Sequence, residues 1–136
     1  MGRLTVCVLT IALLMAALPL SAHHGTPISY DNSTLITSKA TVTGFEFTNP
    51  HVRIFFDTKD DKGNTRHWSG EMANPAQYMR AGWGKKRSEE ELKTGTPITI
   101  SYYLSKVEEH LPPDVGAALI VRIRNSKDER ILLDRR

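Results

Sequence analysis

The chain predicts a mostly β fold, a small OB-like five-stranded barrel with one short helix between the third and fourth strands. Three observations predict it. Val52, Ile54 and Phe56 alternate at a period of two against His51, Arg53, Phe55 and Asp57, as a half-buried strand requires. Turn signals (Asn49-Pro50, then Lys59 to Asn64) separate three such runs. A helical signature beginning at Asn74 then precedes two further apolar runs. Three strands, a helix and two strands is the order of an oligonucleotide/oligosaccharide-binding-type barrel, with a β-sandwich or open meander as the alternative.

The elements follow in order. Leu4 to Leu18 is an apolar run behind Arg3, broken by Pro19 and followed by Leu20-Ser21-Ala22, the pattern of a secretory signal peptide over residues 1–22. About 15 apolar residues fall short of the roughly 20 a membrane span needs, so the segment reads as removed rather than retained. Cys7, the only cysteine, lies inside it, and its place near the start of the apolar run rather than after it does not suit a lipoprotein box. The processed chain, 114 of the 136 residues, then has no thiol, so disulfides, cysteine nucleophiles and thiolate metal sites are excluded. Its size suits one domain. The formal charge of +3 becomes +2 without Arg3, too mild to point to a polyanionic partner.

Residues 23–38 read as an extended arm, tethered by Tyr30, Leu35 and Ile36, that enters the first strand near Thr37; the barrel domain occupies 39–136. In that strand Gly44 shifts the alternation between Val42 and Phe45, as a bulge does. Gly63 suits the left-handed position of the hairpin loop. The third strand runs from Thr65 to Met72 with Trp68, Gly70 and Met72 on one face, and sets Glu71 near Arg53 as a cross-strand ion pair. Asn74 caps a short helix with Pro75 in its first turn, Tyr78 and Met79 on the buried side, Gly82 at its end and Trp83 behind it. Ser88 to Leu92 offers a further turn with Ser88 as cap and Glu91 in the capping-box place. In the fourth strand Ile98, Ile100, Tyr102 and Leu104 point inward. In the fifth Leu119, Val121 and Ile123 point inward, while Ile120, Arg122 and Arg124 point out. Ile131-Leu132-Leu133 makes a last short strand.

His23-His24 directly after the signal peptide, Thr48-Asn49-Pro50-His51 at the corner, Trp68 with Glu71-Met72, and Gly82-Trp83 together resemble a family of small exported bacterial proteins of unknown function. The likeness spans residues 23–133. It implies export and a small barrel, and it supplies no established activity. The chain departs from the family's D-G-x-x-L turn, since Lys127-Asp128-Glu129-Arg130 contains no glycine.

The sharpest chemistry is at the terminus that signal cleavage creates. Cutting after Ala22 gives His23 a free α-amine beside its imidazole, two nitrogens that close one chelate ring on a metal. A further imidazole, from His24 or His51, completes a three-nitrogen set suited to Cu(II). An α-amine has an ordinary pKa of about 7.7–8 and so deprotonates readily for binding near neutral pH. The arrangement resembles the histidine brace of copper enzymes and periplasmic copper carriers at the terminus alone. The expected function is therefore a periplasmic or secreted binding protein for copper through His23, His24 and His51. The alternative is a metal-free module that binds a periplasmic protein or small ligand across Phe55, Trp83 and Tyr103.

Other motifs read as ordinary surface. His67 pairs with Asp57 across the hairpin, and His110 sits beside Glu108-Glu109. Asp57 to Asn64 lacks the twelve-position calcium pattern, with Lys62 where a ligand is needed. Ser69-Gly70 has no nucleophile-elbow context and no glycine loop cradles phosphate, so catalysis is not expected. Phe55, Tyr103, Arg122 and Arg124 could face nucleic acid, but export removes that partner.

Overall fold

The computed structural model describes residues 30–106 and 111–129. Five strands, β1 (Tyr30–Glu46), β2 (Arg53–Lys59), β3 (Thr65–Glu71), β4 (Pro97–Ser105) and β5 (Val115–Asn125), close a barrel in the order β1-β2-β3-β5-β4. All pairings are antiparallel except β3 with β5. This is the expected five-stranded architecture, with one correction. Two short helices, α1 (Pro75–Arg80) and α2 (Lys85–Glu91), stand between β3 and β4 instead of one.

The core follows the alternation in the sequence. Val42, Val52, Ile54, Phe56, Ile100 and Ile123 are completely buried, each stabilising the fold by about 1.5–3 kcal/mol of apolar burial. Phe56 stacks on Trp68 at 6.1 Å between ring centroids, and Tyr102 meets both rings at 5.6 and 5.1 Å. The indole Nε1–H, which must be satisfied when buried, donates to Thr58 Oγ1 at 2.9 Å.

The bulge expected in β1 is present, as the register against β2 shifts between Val42 and Gly44. β1 itself begins seven residues before Thr37. Ile36 to Thr41 pairs with β4, and Tyr30 and Asp31 pair with Ser105 and Leu104 after an irregular stretch. Half of the expected arm is thus sheet. Tyr30 is buried and Ile36 half-buried against the core, whereas Leu35 is exposed.

At the hairpin Gly63 takes φ +84°, a conformation that costs a residue without Cβ nothing. The Asp60 carboxylate organises the same loop, accepting from the Lys62 and Asn64 backbone N–H groups and from the Asn64 amide. These bonds, the Asn64 side-chain bond first, hold its pKa below the ordinary carboxylate value.

Four side-chain expectations are corrected. Met79 is exposed, because α1 turns only Pro75 and Tyr78 inward. Ser88 does not cap a helix: Gly84 occupies the N-cap of α2, and Ser88 lies fully buried inside it. There its hydroxyl accepts from Trp83 Nε1–H and donates to the Gly84 carbonyl. Leu104 is partly exposed at the end of β4. In β5 Leu119 and Ile123 are buried as expected, but Ile120, expected to point out, is buried too, with Ala118, and Val121 is only half-buried. The β4–β5 register jumps between Ser101–Arg122 and Tyr102–Ile120, so Val121 is the extra residue and the alternation changes phase there.

The glycine-free turn after β5 also has a physical account. Asp128 adopts φ +64°, the left-handed region that Asp tolerates better than most residues. The Asn125 side chain accepts from the Lys127 and Glu129 backbone N–H groups, closing the turn. The signal peptide, His23, His24, His110 and Ile131-Leu132-Leu133 lie outside the described residues.

Candidate functional site

One end of the barrel carries an open cleft of about 500 Å³. Tyr30 enters it from the start of β1, Thr48 to His51 from the β1–β2 corner, Arg53 from β2, Ser69 and Glu71 from β3, and Leu111 and Ala117 from the β5 side. The corner holds its shape because Val52 and Met72 continue the β2–β3 ladder beyond the strands. Val52 N–H donates to the Ala73 carbonyl at 3.0 Å, and Met72 N–H donates to the Val52 carbonyl at 2.9 Å. His51 is therefore attached to a buried, fully hydrogen-bonded residue. The Asn49–Pro50 peptide bond is cis.

Glu71 is the centre of the cleft's polar network. Its Oε1 lies 2.5 Å from His51 Nδ1, and its Oε2 accepts from Tyr30 O–H at 2.9 Å. An ionised carboxylate only accepts, so His51 donates through Nδ1–H and its Nε2 is the nitrogen available to another group. His51 remains 42% exposed and Glu71 32%, so a solute can reach the pair.

The expected Glu71–Arg53 ion pair is replaced. Arg53 does face Glu71 in register, but it also faces Glu46 across β1. Its Nε and Nη2 both donate to Glu46 Oε2, at 3.1 and 2.7 Å. His51 and Tyr30 occupy the two oxygens of Glu71. Arg53 is thereby paired with Glu46, while the Glu71 carboxylate is engaged by hydrogen bonds from His51 and Tyr30.

Of the three expected ligands the described structure contains His51, joined to Glu71 and Tyr30. Among the described residues no group of three or more His, Cys, Asp and Glu side chains gathers as a metal site. Glu71 and Tyr30 were not in the expected site. Glu71 could have been found from its outward place on β3; its choice of His51 over Arg53 depends on how the corner folds, which pairwise register does not reveal.

His67 behaves as expected of a surface pair, with Nδ1 2.6 Å from Asp57 Oδ1. Trp83 does not serve an interaction face. It is buried, bonded to Ser88 and covered by the Arg87 guanidinium at 4.2 Å from the ring centroid. A second cleft of about 650 Å³ lies at the other end of β2, lined by Lys39, Lys59 and several threonines, and contains no histidine.

Among the described residues no helix is long and apolar enough to cross a membrane. No curated protein and no solved structure matches the chain. Residues 11–110 match the model of the family of unknown function DUF6152, which takes in β1 to β4, both helices and the corner that carries His51. Most of the chain lies within that match, and the protein belongs to the DUF6152 family.

Proposed function

We propose that this protein is an exported, periplasmic binding protein that holds copper between its processed N-terminus and His51. The observation that supports the reading is the meeting of Tyr30 and His51 on one carboxylate, Glu71. Tyr30 lies seven residues after His23. Seven extended residues span at most about 25 Å, so the α-amine and imidazole of His23 are within reach of the cleft rim where His51 sits. His51 then supplies the second imidazole through Nε2, its Nδ1–H being engaged by Glu71. His24 is the competing source of that imidazole. The donor set is nitrogen throughout, which suits Cu(II). Export is read from residues 1–22, and no step of catalysis is assigned.

The test is a Cu(II) competition titration of four proteins: the chain beginning at His23, the same chain with one extra N-terminal residue, the His51→Ala variant and the His24→Ala variant. The reading expects the extension to weaken binding strongly, because the chelate loses its amine. It also expects His51→Ala to weaken it further than His24→Ala does. Equal affinity in the native and extended chains refutes the terminal chelate.

A further inference from the structure

We infer that the second cleft, at the far end of β2 from His51, is a binding site for a small dianionic oxyanion, a phosphate monoester or a dicarboxylate, held between Lys39 and Lys59. The inference is independent of the copper reading, since this cleft shares no lining residue with the cleft of His51 and Glu71.

The sheet register aligns the donors. Lys39 of β1 pairs with Thr99 of β4, and Lys59 of β2 pairs with Thr65 of β3. The β1–β2 ladder reaches Ala40–Thr58, and one step further sets Lys39 opposite Lys59. Thr99, Lys39, Lys59 and Thr65 thus form one row across four strands, a hydroxyl on either side of two ammonium groups. Neighbouring strands lie about 4.8 Å apart, so the row is roughly 14 Å long. All four residues line the same cleft of about 650 Å³, a size that suits a small organic molecule.

The juxtaposition is unfavourable without a ligand. Like charges directly opposite each other across a ladder repel. Among the described residues neither lysine ammonium has a hydrogen-bond or ion-pair partner. The acidic side chain in the lining, Asp57, has its Oδ1 2.6 Å from His67 Nδ1. Nor do the lysines guard an open edge, a common structural use of lysine on a strand. Both lie in strands that are paired on either side, β1 by β4 and β2, and β2 by β1 and β3.

A dianion between the two ammonium groups removes the repulsion and replaces it with two charge-assisted contacts. Lysine serves phosphate and carboxylate oxygens as a compact point charge. The hydroxyls of Thr65 and Thr99 donate to the oxygens that the lysines leave unmet. Pro97, in the same lining, offers the organic part of the ligand an apolar contact.

The experiment titrates inorganic phosphate, phenyl phosphate, succinate and acetate into the protein at pH 8, where phosphate is a dianion, and follows backbone amide shifts by NMR. The same titrations are made on Lys39→Gln, Lys59→Gln, the double variant and Lys86→Gln, whose lysine stands on α2 outside the cleft. The dianions are expected to shift the amides of Lys39, Lys59, Thr65 and Thr99. Each single cleft variant should weaken binding about two- to fivefold, the double variant should abolish it, and Lys86→Gln should leave it unchanged. Thermal melts supply a readout that a purely structural role does not give: without ligand, the single cleft variants should melt at or above the native protein, because the repulsion is gone. Tighter binding of phenyl phosphate than of succinate assigns the phosphate ester, and the reverse assigns the dicarboxylate. Acetate binding as tightly as the dianions overturns the paired-lysine site. So does undiminished binding by the double variant, an equal loss in Lys86→Gln, or no saturable binding of any dianion in the millimolar range.

Discussion

Gly116→Ala should destabilise the barrel through a single contact. Gly116 pairs with Trp68 across the parallel β3–β5 edge. A Cβ built on it would lie 2.6 Å from both Cε3 and Cζ3 of the indole and 3.2 Å from an Arg66 guanidinium nitrogen. Carbon atoms rest about 3.5–4.0 Å apart, so the ring must retreat by roughly 1 Å. It has little room to do so. Phe56 stacks against it at an interplanar angle of 10°, Tyr102 leans on it, and Nε1–H is bonded to Thr58. Overpacking a closed core costs about 1–3 kcal/mol, which for a domain near 100 residues is a fall in melting temperature of roughly 5–20 °C. Thermal melts followed by circular dichroism give the number, and Trp68 emission reports the displaced ring. Trp68→Phe removes the clashing atoms, so alanine at position 116 should cost at least about 1 kcal/mol less in that background, a coupling expected of residues in contact. A Gly116→Ala protein melting within about 2 °C of the parent would refute the reasoning, since the predicted penalty is several times larger.

Ser88→Ala leaves the buried Trp83 Nε1–H without its acceptor and should cost about 1–3 kcal/mol; urea denaturation should show a lower midpoint at unchanged slope. Asn74 Oδ1 accepts from Gln77 N–H at 2.9 Å as the cap of α1, so Asn74→Ala should cost about 1 kcal/mol and Asn74→Asp almost nothing. Asp60 has its pKa depressed by Asn64 and the loop amides. Its ionised form therefore favours the folded loop above the ordinary carboxylate pKa, and that contribution is lost as pH falls through the lower folded value. Amide exchange at Lys62 and Asn64 should quicken in that acidic window, and Asp60→Asn should remove the pH dependence; exchange that stays flat in the native chain would count against the loop's dependence on this carboxylate.

Where one face of a strand is apolar and the other polar, the sequence was a sufficient guide. Val52, Ile54 and Phe56 alternate with His51, Arg53, Phe55 and Asp57 and lie inside as expected, and Gly44 marks its bulge. In β5 the phase is not legible, because Ala117 to Val121 is apolar at every position. The jump at Val121 is visible only in the pairing with β4. Ser88 looked like a cap because small hydroxyl residues often are. Its burial under Trp83 comes from packing between α2 and the preceding loop, which no local pattern encodes. The same limit applies to the cleft. His51 stood out by residue type and Glu71 by register, but the choice between Arg53 and His51 was made by Glu46, which takes Arg53 from the other side.

The parallel seam between β3 and β5 has a consequence for how the chain matures. Its two sides are separated in sequence by both helices and all of β4, so the cylinder can be sealed only when β5 arrives. A nascent or clipped chain ending short of Val115 presents two raw borders, one on β3 and one on β4. Such borders recruit strands from other molecules. The eleven residues of β5 thus act as a stopper against self-association as much as a wall of the barrel.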